Sequence, residues 1–382
     1  MSLIKTIIAY VLAIFFHGLY KNVWIIAERG TDARDNAYWL FKYIRENENN
    51  QKIYYVIDPK SADYSKISIL GPSIKPNSLK HGIVLFSARV IISTHAYLCC
   101  PNWKGSHYAL NHKCFNKHEK RIYIQHGLVK DYLPELTYPN LDVDLYTSGA
   151  KPEHFYLVNN YGFPDGVVQY TGLARYDNLY NHQSKKNGKN KMILLMPTWR
   201  HYLSECESIS DFKESDFYKR INELLESNTL KELLKKYDYS LVFYPHYEMQ
   251  KWCNAFTPSD RITIADFKNF DVQNLLMECD VLITDYSSVF FDIAYMKKPI
   301  IFYQFDSELF RKTQYKEGYF KYEGSFGPVL SSFNQVVSSL EKILEEGIEP
   351  MYLKNESIFF ELNDNNCCSR IVQAIRNATC HR

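Results

Sequence analysis

Val281-Leu282-Ile283-Thr284-Asp285-Tyr286-Ser287-Ser288, followed by Val289-Phe290-Phe291-Asp292-Ile293-Ala294, reads as a buried strand that stops at hydroxyl and acidic side chains and continues as a helix. Val289, Phe290, Ile293 and Met296 fall on one helical face, and Lys297-Lys298 occupy the last turn, where cations are favoured. Pro299-Ile300-Ile301-Phe302-Tyr303 then reads as the next strand. A turn of this kind, at the carboxyl end of a parallel strand, offers hydroxyls and helix N-terminal amides to an anion. The same residues also serve as plain helix caps, so the assignment needs support from elsewhere in the chain.

Working outward, short apolar runs alternate with helical stretches on both sides. Before the midpoint lie Val23-Trp24-Ile25-Ile26, Ile53-Tyr54-Tyr55-Val56-Ile57, Val90-Ile91-Ile92-Ser93, Arg121-Ile122-Tyr123-Ile124-Gln125, Leu145-Tyr146-Thr147-Ser148 and Val167-Val168-Gln169-Tyr170. After it come Met192-Ile193-Leu194-Leu195-Met196, the strand at 239–244, and Ile262-Thr263-Ile264. A short helical piece is expected at 83–86, with amphipathic helices at 231–237 and 336–347. The alternation predicts an α/β protein with parallel sheets. Residues 181–191 are polar and free of large apolar side chains, as a linker would be. The expected organisation is a helix at 1–20, a Rossmann-like domain at 21–180, the linker at 181–191, a second Rossmann-like domain at 192–362, and a terminal helix at 363–382. A crossing of that helix back onto the first domain is an expectation of this two-domain architecture and not of the residue pattern.

Composition narrows the function classes. At 382 residues two domains are expected, and a formal net charge of +2 lacks the basic excess of a general nucleic-acid binder. The nine cysteines include no CxxC pair, which argues a reducing compartment and not a disulfide framework. His95, Cys99, Cys100, His107, His112, Cys114 and His118 match no zinc spacing, so no metal site is assigned. The stretch 3–20 is nearly all apolar, interrupted by Lys5 and His17, and shows no cleavage site of the secretory type. It is expected to lie in the cytoplasmic membrane interface or to pack on the domain, more than to span the membrane.

Three further strand ends carry chemistry. His126-Gly127 closes the strand 121–125, where the histidine is placed to accept a proton from a hydroxyl and the glycine leaves room for close approach. Met196-Pro197-Thr198-Trp199-Arg200 ends the first strand of the second half, and an arginine there suits a phosphate clamp. Tyr244-Pro245-His246-Tyr247 ends the next, where a histidine can donate to a phosphate oxygen.

Together with Gly172-Leu173-Ala174-Arg175-Tyr176-Asp177 and Glu317-Gly318-Tyr319-Phe320, these motifs resemble the CDP-glycerol glycerophosphotransferase family of teichoic acid and capsule enzymes. The resemblance covers roughly residues 22–345 and implies a GT-B fold, two Rossmann-like domains facing across a cleft. It implies transfer of a glycerol phosphate or ribitol phosphate from a CDP-polyol donor to an acceptor hydroxyl of a polymer or lipid-linked chain, with release of CMP. His126 would be the general base. His246, Thr284, Ser287 and Ser288 would hold the donor pyrophosphate, Arg200 and Asp285 would organise that pocket, and Gly127 and Thr198 would support the cleft. The family usually carries proline directly after the second histidine, whereas here Tyr247 follows His246 and Pro245 precedes it. No cofactor or metal is called for, and nucleic acid is not an expected partner. A GT-B glycosyltransferase using a sugar nucleotide is the competing expectation.

Overall fold

The computed structural model describes residues 2–97, 99–112, 114–185 and 191–380. Two compact units emerge. One comprises Met1–Leu128, Pro134–Asn178 and Asp364–Arg382; the other comprises Val129–Leu133 and Leu179–Asn363.

In the first unit, β-branched and aromatic runs form β1 (Trp24–Ala27), β2 (Ile53–Val56), β3 (Ser73–Ile74), β4 (Val90–Ser93), β5 (Lys120–Tyr123), β6 (Leu145–Ser148) and β7 (Val168–Tyr170). They pair in the order β3-β2-β1-β4-β5-β6-β7, all in parallel. Parallel strands covered on both faces need apolar side chains in both directions, and β1, β4 and β6 are buried at every position. The core joins Ile26, Phe41, Tyr55, Ile92 and Ile122 to Ile371 and Ile375 of the helix Cys367–Cys380. Asp177 caps that helix by accepting the amides of Cys367 at 2.7 Å and Cys368 at 2.9 Å.

Two helices of this unit are laid down in unusual ways. The helix α1 (Ser2–Tyr20) buries only Thr6, Ala9 and Ala13. These small residues lie against the helix Leu79–Ser87, where a Cβ on Gly82 would come within 2.7 Å of the Ala9 Cβ. The opposite face leaves Leu3, Ile4, Ile7, Val11, Phe15 and Leu19 exposed. The helix α2 (Asn36–Asn47) starts on a buried carboxylate: Glu28 accepts the amides of Arg34, Asp35 and Tyr38 at 2.9–3.0 Å.

The second unit repeats the plan with β8 (Met192–Leu195), β9 (Ser240–Phe243), β10 (Ile262–Ile264), β11 (Val281–Thr284), β12 (Ile300–Tyr303) and β13 (Val329–Leu330), in the order β10-β9-β8-β11-β12-β13. Every pairing is again parallel. The amphipathic helices are Asn228–Tyr237 and Phe333–Glu346, the second opened by a capping box between Ser332 and Gln335.

Three expectations need correction. The helix after Ser288 runs only from Phe290 to Tyr295 and is buried on every side, because Phe290 packs among Phe302, Phe320 and Tyr322. Lys297 and Lys298 therefore lie beyond it; Lys297 takes a left-handed φ of 54°. The helix Tyr176–Lys185 takes in the first five residues of the polar run read as a linker, and 186–190 lie outside the described residues. Residues 129–133, directly after the His126 turn, group with the second unit, which no compositional break announces.

Candidate active site

In the first unit, His126 sits two residues beyond the last hydrogen-bonded position of β5, and its side chain is exposed. The turn is over-determined. Gln125 adopts φ 37°, a conformation that costs an L-residue energy and persists only when its surroundings hold it. Its buried Nε2 donates to the Thr147 carbonyl at 2.9 Å, and its own carbonyl accepts from Asn36 Nδ2 at 2.8 Å. Arg175 Nη1 pairs with Asp35 and donates to the His126 carbonyl, both at 2.8 Å. The Gly172–Asp177 motif thus holds the histidine turn from behind.

The imidazole is oriented by Thr94, at the end of β4. His126 Nδ1 lies 3.3 Å from the Thr94 carbonyl, which can only accept, so Nδ1 carries the proton and Nε2 keeps its lone pair. His95 stacks on His126 with ring centroids 5.1 Å apart and planes 11° from parallel. Arg29 Nε donates to His95 Nε2 at 3.5 Å, leaving His95 Nδ1–H to donate to Thr94 Oγ1 at 2.8 Å. Burial, then His126, then Arg29 push the His95 pKa down to about 3, so it stays neutral beside His126. In the sequence His95 enters only within a cluster that matches no zinc spacing, and Thr94 belongs to no motif. The signal that found His126, a histidine at the carboxyl end of an apolar strand, applies equally to His95 after 90–93.

In the second unit, β9, β8 and β11 are neighbours, so His246, the Thr198-to-Arg200 segment and Thr284 to Ser288 leave adjacent strand ends. Four of them form one bonded cluster. Arg200 Nε and Nη2 grip Asp306 at 2.7 and 3.0 Å, while Nη1 meets Asp285 at 2.7 Å and donates to the Thr198 carbonyl. Asp285 accepts the amides of Thr198 at 2.7 Å and of Tyr286, and Thr284 Oγ1 donates to the Met196 carbonyl at 2.7 Å. Tyr286 and Phe310 flank the guanidinium at 5.0 and 5.2 Å. Arg200 is 1% exposed, and its two carboxylate partners hold it protonated against the desolvation of burial.

The guanidinium expected to clamp a phosphate is therefore spent inside the protein, and the Thr284 hydroxyl expected on the donor is spent on a strand carbonyl. Both bond within the protein, as parts of the turn. Asp306, which completes the cluster, was not singled out from the sequence. The groups left facing outward are Ser287 and Ser288, half-buried, whose hydroxyls have no partner among the described residues. The amides of Phe290 and Phe291 bond to the carbonyls of Ser287 and Ser288, so they are not offered to an anion. His246 Nδ1 accepts the Glu248 amide at 3.3 Å, which puts the ring proton on Nε2 as a donor. Lys130 and Arg311 both pair with Asp131, the latter at 2.5 Å; burial lowers the Lys130 pKa. Gly318 is required there, because a Cβ would stand 2.3 Å from the Lys130 carbonyl oxygen. Among the described residues no three His, Cys, Asp or Glu side chains group as metal ligands.

Residues 9–377 match the family described as CDP-Glycerol:Poly(glycerophosphate) glycerophosphotransferase. The minor teichoic acid biosynthesis protein GgaB of Bacillus subtilis (strain 168) is 33% identical over 368 residues, 93% of this chain and 40% of the relative. The teichoic acid poly(glycerol phosphate) polymerase of the same strain is 24% identical over 85% of this chain and 46% of its own length. The chain thus spans less than half of each. Among solved structures, a variant of the wall teichoic acid polymerase TagF superposes with a TM-score of 0.67 at 17% identity, covering 98% of both chains. A UDP-GlcNAc 2-epimerase from Neisseria meningitidis does so at 0.54 and 14%, covering 93% of this chain and 99% of its own. These likenesses assign the GT-B fold, which is shared by different chemistries.

Proposed function

Because the chain belongs to the CDP-glycerol:poly(glycerophosphate) glycerophosphotransferase family, we propose that it transfers glycerol phosphate or ribitol phosphate from a CDP-polyol to an acceptor hydroxyl in teichoic acid or capsular polymer synthesis. The observation that carries this reading is the His126 imidazole, exposed at a strand end with Nδ1–H tied to the Thr94 carbonyl and Nε2 open to a proton. In the proposed step Nε2 takes the acceptor hydroxyl proton. The acceptor oxygen forms a bond to the phosphorus bearing the polyol, and the bond from that phosphorus to the CMP oxygen breaks. Phosphoryl transfer depends on positioning and charge stabilisation more than on covalent catalysis. The Ser287 and Ser288 hydroxyls and His246 Nε2–H are assigned to the pyrophosphate oxygens, and the Arg200–Asp285–Asp306 cluster to holding their turn in shape. No cofactor is proposed; the nucleotide is a substrate.

The acceptor is read as a polymer or lipid-linked chain met at the cytoplasmic membrane surface, with the exposed apolar face of α1 as the contact. Nucleotide release from labelled CDP-glycerol, CDP-ribitol and UDP-sugars tests the reading. CMP release dependent on a membrane-extract acceptor is expected; UDP release without CMP would assign a glycosyltransferase instead. His126→Ala should abolish transfer while CDP-polyol binding by calorimetry persists, and Ser288→Ala should weaken donor binding. Near-normal turnover by His126→Ala would remove the base assignment.

A further inference from the structure

We propose that the cavity at the carboxyl ends of β1 and β4 receives the acceptor's chain end, a polyhydroxylated unit held beside His126 with its adjoining phosphodiester on Arg29. The proposal rests on the transfer reading above and adds where, and as what chemistry, the acceptor is recognised.

Position is the first argument. The sheet order places β1 beside β4, with β2 and β3 on one side and β5 to β7 on the other. In open parallel sheets ligands occupy the crevice outside the strand ends where the order reverses in this way. A cavity of about 550 Å³ lies there, reached from Glu28 and Arg29 at the end of β1 and from His95 just past β4. That volume falls within the range of small-molecule sites.

The lining selects the ligand. Tyr97 and Trp103 supply aromatic faces, and Asn77, Asn102 and His107 supply hydrogen-bonding groups. Asn77 is fixed in the left-handed region at φ 58°, with Oδ1 accepting the Asn102 amide at 2.6 Å, so the two loops that frame the cavity are tied together. Among the described residues Arg29 is the single arginine or lysine on the wall, with its guanidinium 3.8 Å from the carboxylate of Asp32. His81 and His95 stay neutral, burial lowering them to about 4 and about 3. The Glu28 carboxyl group, whose pKa burial raises to about 8, is occupied by three backbone amides. One cation among amides and aromatic rings suits a sugar or polyol with one phosphodiester; a nucleoside diphosphate calls for more positive charge. Proximity to the base follows from His95, which lines the cavity and stacks on His126 at 5.1 Å.

The test is binding of glycerophosphoglycerol and of CMP to the full chain, read by calorimetry or ligand-observed NMR, for the wild type, Arg29→Ala and Asn102→Trp. Both side chains are exposed, and unchanged melting curves verify the fold. Glycerophosphoglycerol affinity should fall at least tenfold in each variant while CMP affinity stays constant. No binding of glycerophosphoglycerol by the wild type, or binding unaffected by both variants, overturns the proposal. A parallel loss of CMP affinity in Asn102→Trp also overturns it, by making the cavity a nucleotide site. None of these readouts needs turnover, so the transfer reading fails separately, by absence of CMP release from CDP-polyols in the wild type.

Discussion

Arg200 is the residue on which the second unit's strand ends depend. One guanidinium sits between two buried carboxylates, so removing it leaves Asp285 and Asp306 facing each other without a counter-ion. Breaking a buried charge network from one side costs about 3–5 kcal/mol. Arg200→Met should lower the urea midpoint by a corresponding amount. Arg200→Lys should lose less stability yet still raise the donor KM, because an ammonium cannot span both Asp306 oxygens. A midpoint unchanged in Arg200→Met would show that the cluster does not hold the turn. The sequence displayed the arginine at a strand end but not its burial, since Asp306 lies 106 residues away. The place of His126 at a strand end was legible because it follows from local order, a strand followed by His-Gly. Its orientation was not, because the Thr94 carbonyl that sets the tautomer comes from a different strand, 32 residues earlier.

At the scale of elements, α1 has an apolar face that no described residue covers. Thr6, Ala9 and Ala13 seat it on the helix Leu79–Ser87, with Ser87 Oγ donating to the Ala13 carbonyl at 3.1 Å. Ile7 is 54% exposed and Phe15 79%, so neither contributes a packed core contact. The double variant Ile7→Asp, Phe15→Asp should therefore keep the melting temperature within about a degree, since exposed substitutions shift stability little. Its co-sedimentation with anionic lipid vesicles should fall at least tenfold. Equal vesicle binding by the double variant would remove the membrane contact from α1. The apolar stretch itself was plain in the sequence, but the choice of seated face was not: small residues spaced at 6, 9 and 13 become meaningful only against Gly82. Strands β3 and β13 escaped notice because two residues carry no periodicity. The helix Phe290–Tyr295 was overextended because its apolar residues continue on all sides, which erases the amphipathic signal that marks an end.

Across the whole molecule, two parallel sheets with the same order reversal follow from strand–helix alternation, and that much was readable from hydrophobic runs. The division of the chain was less so. Residues 129–133 join the second unit through contacts such as the Tyr132 amide on the Lys316 carbonyl at 3.1 Å, a pairing that local composition does not encode. Ionisation of buried groups adds a property of the entire fold. His81 and His95, lowered to about 4 and about 3, bind protons more readily in the unfolded chain, so stability rises with pH up to about 6.5. Glu356 behaves in the opposite sense. It is 1% exposed, neither carboxyl oxygen has a hydrogen-bond partner among the described residues, and burial raises its pKa to about 9 against an unfolded value of 4.5. Between those values the unfolded chain releases a proton that the native state keeps, so stability falls by up to about 1.4 kcal/mol per pH unit. Glu28, raised to about 8 by burial and then by Asp35 and Asp32, acts the same way. Above pH 6.5 only the glutamate effect remains of these four groups, and the urea midpoint of the wild type should drop between pH 6.5 and 8.5. Glu356→Gln, neutral at every pH, should raise the midpoint at pH 8.5 and reduce the slope, while leaving pH 5 nearly unchanged. A variant that parallels the wild type across this range would mean that Glu356 is ionised in the native state.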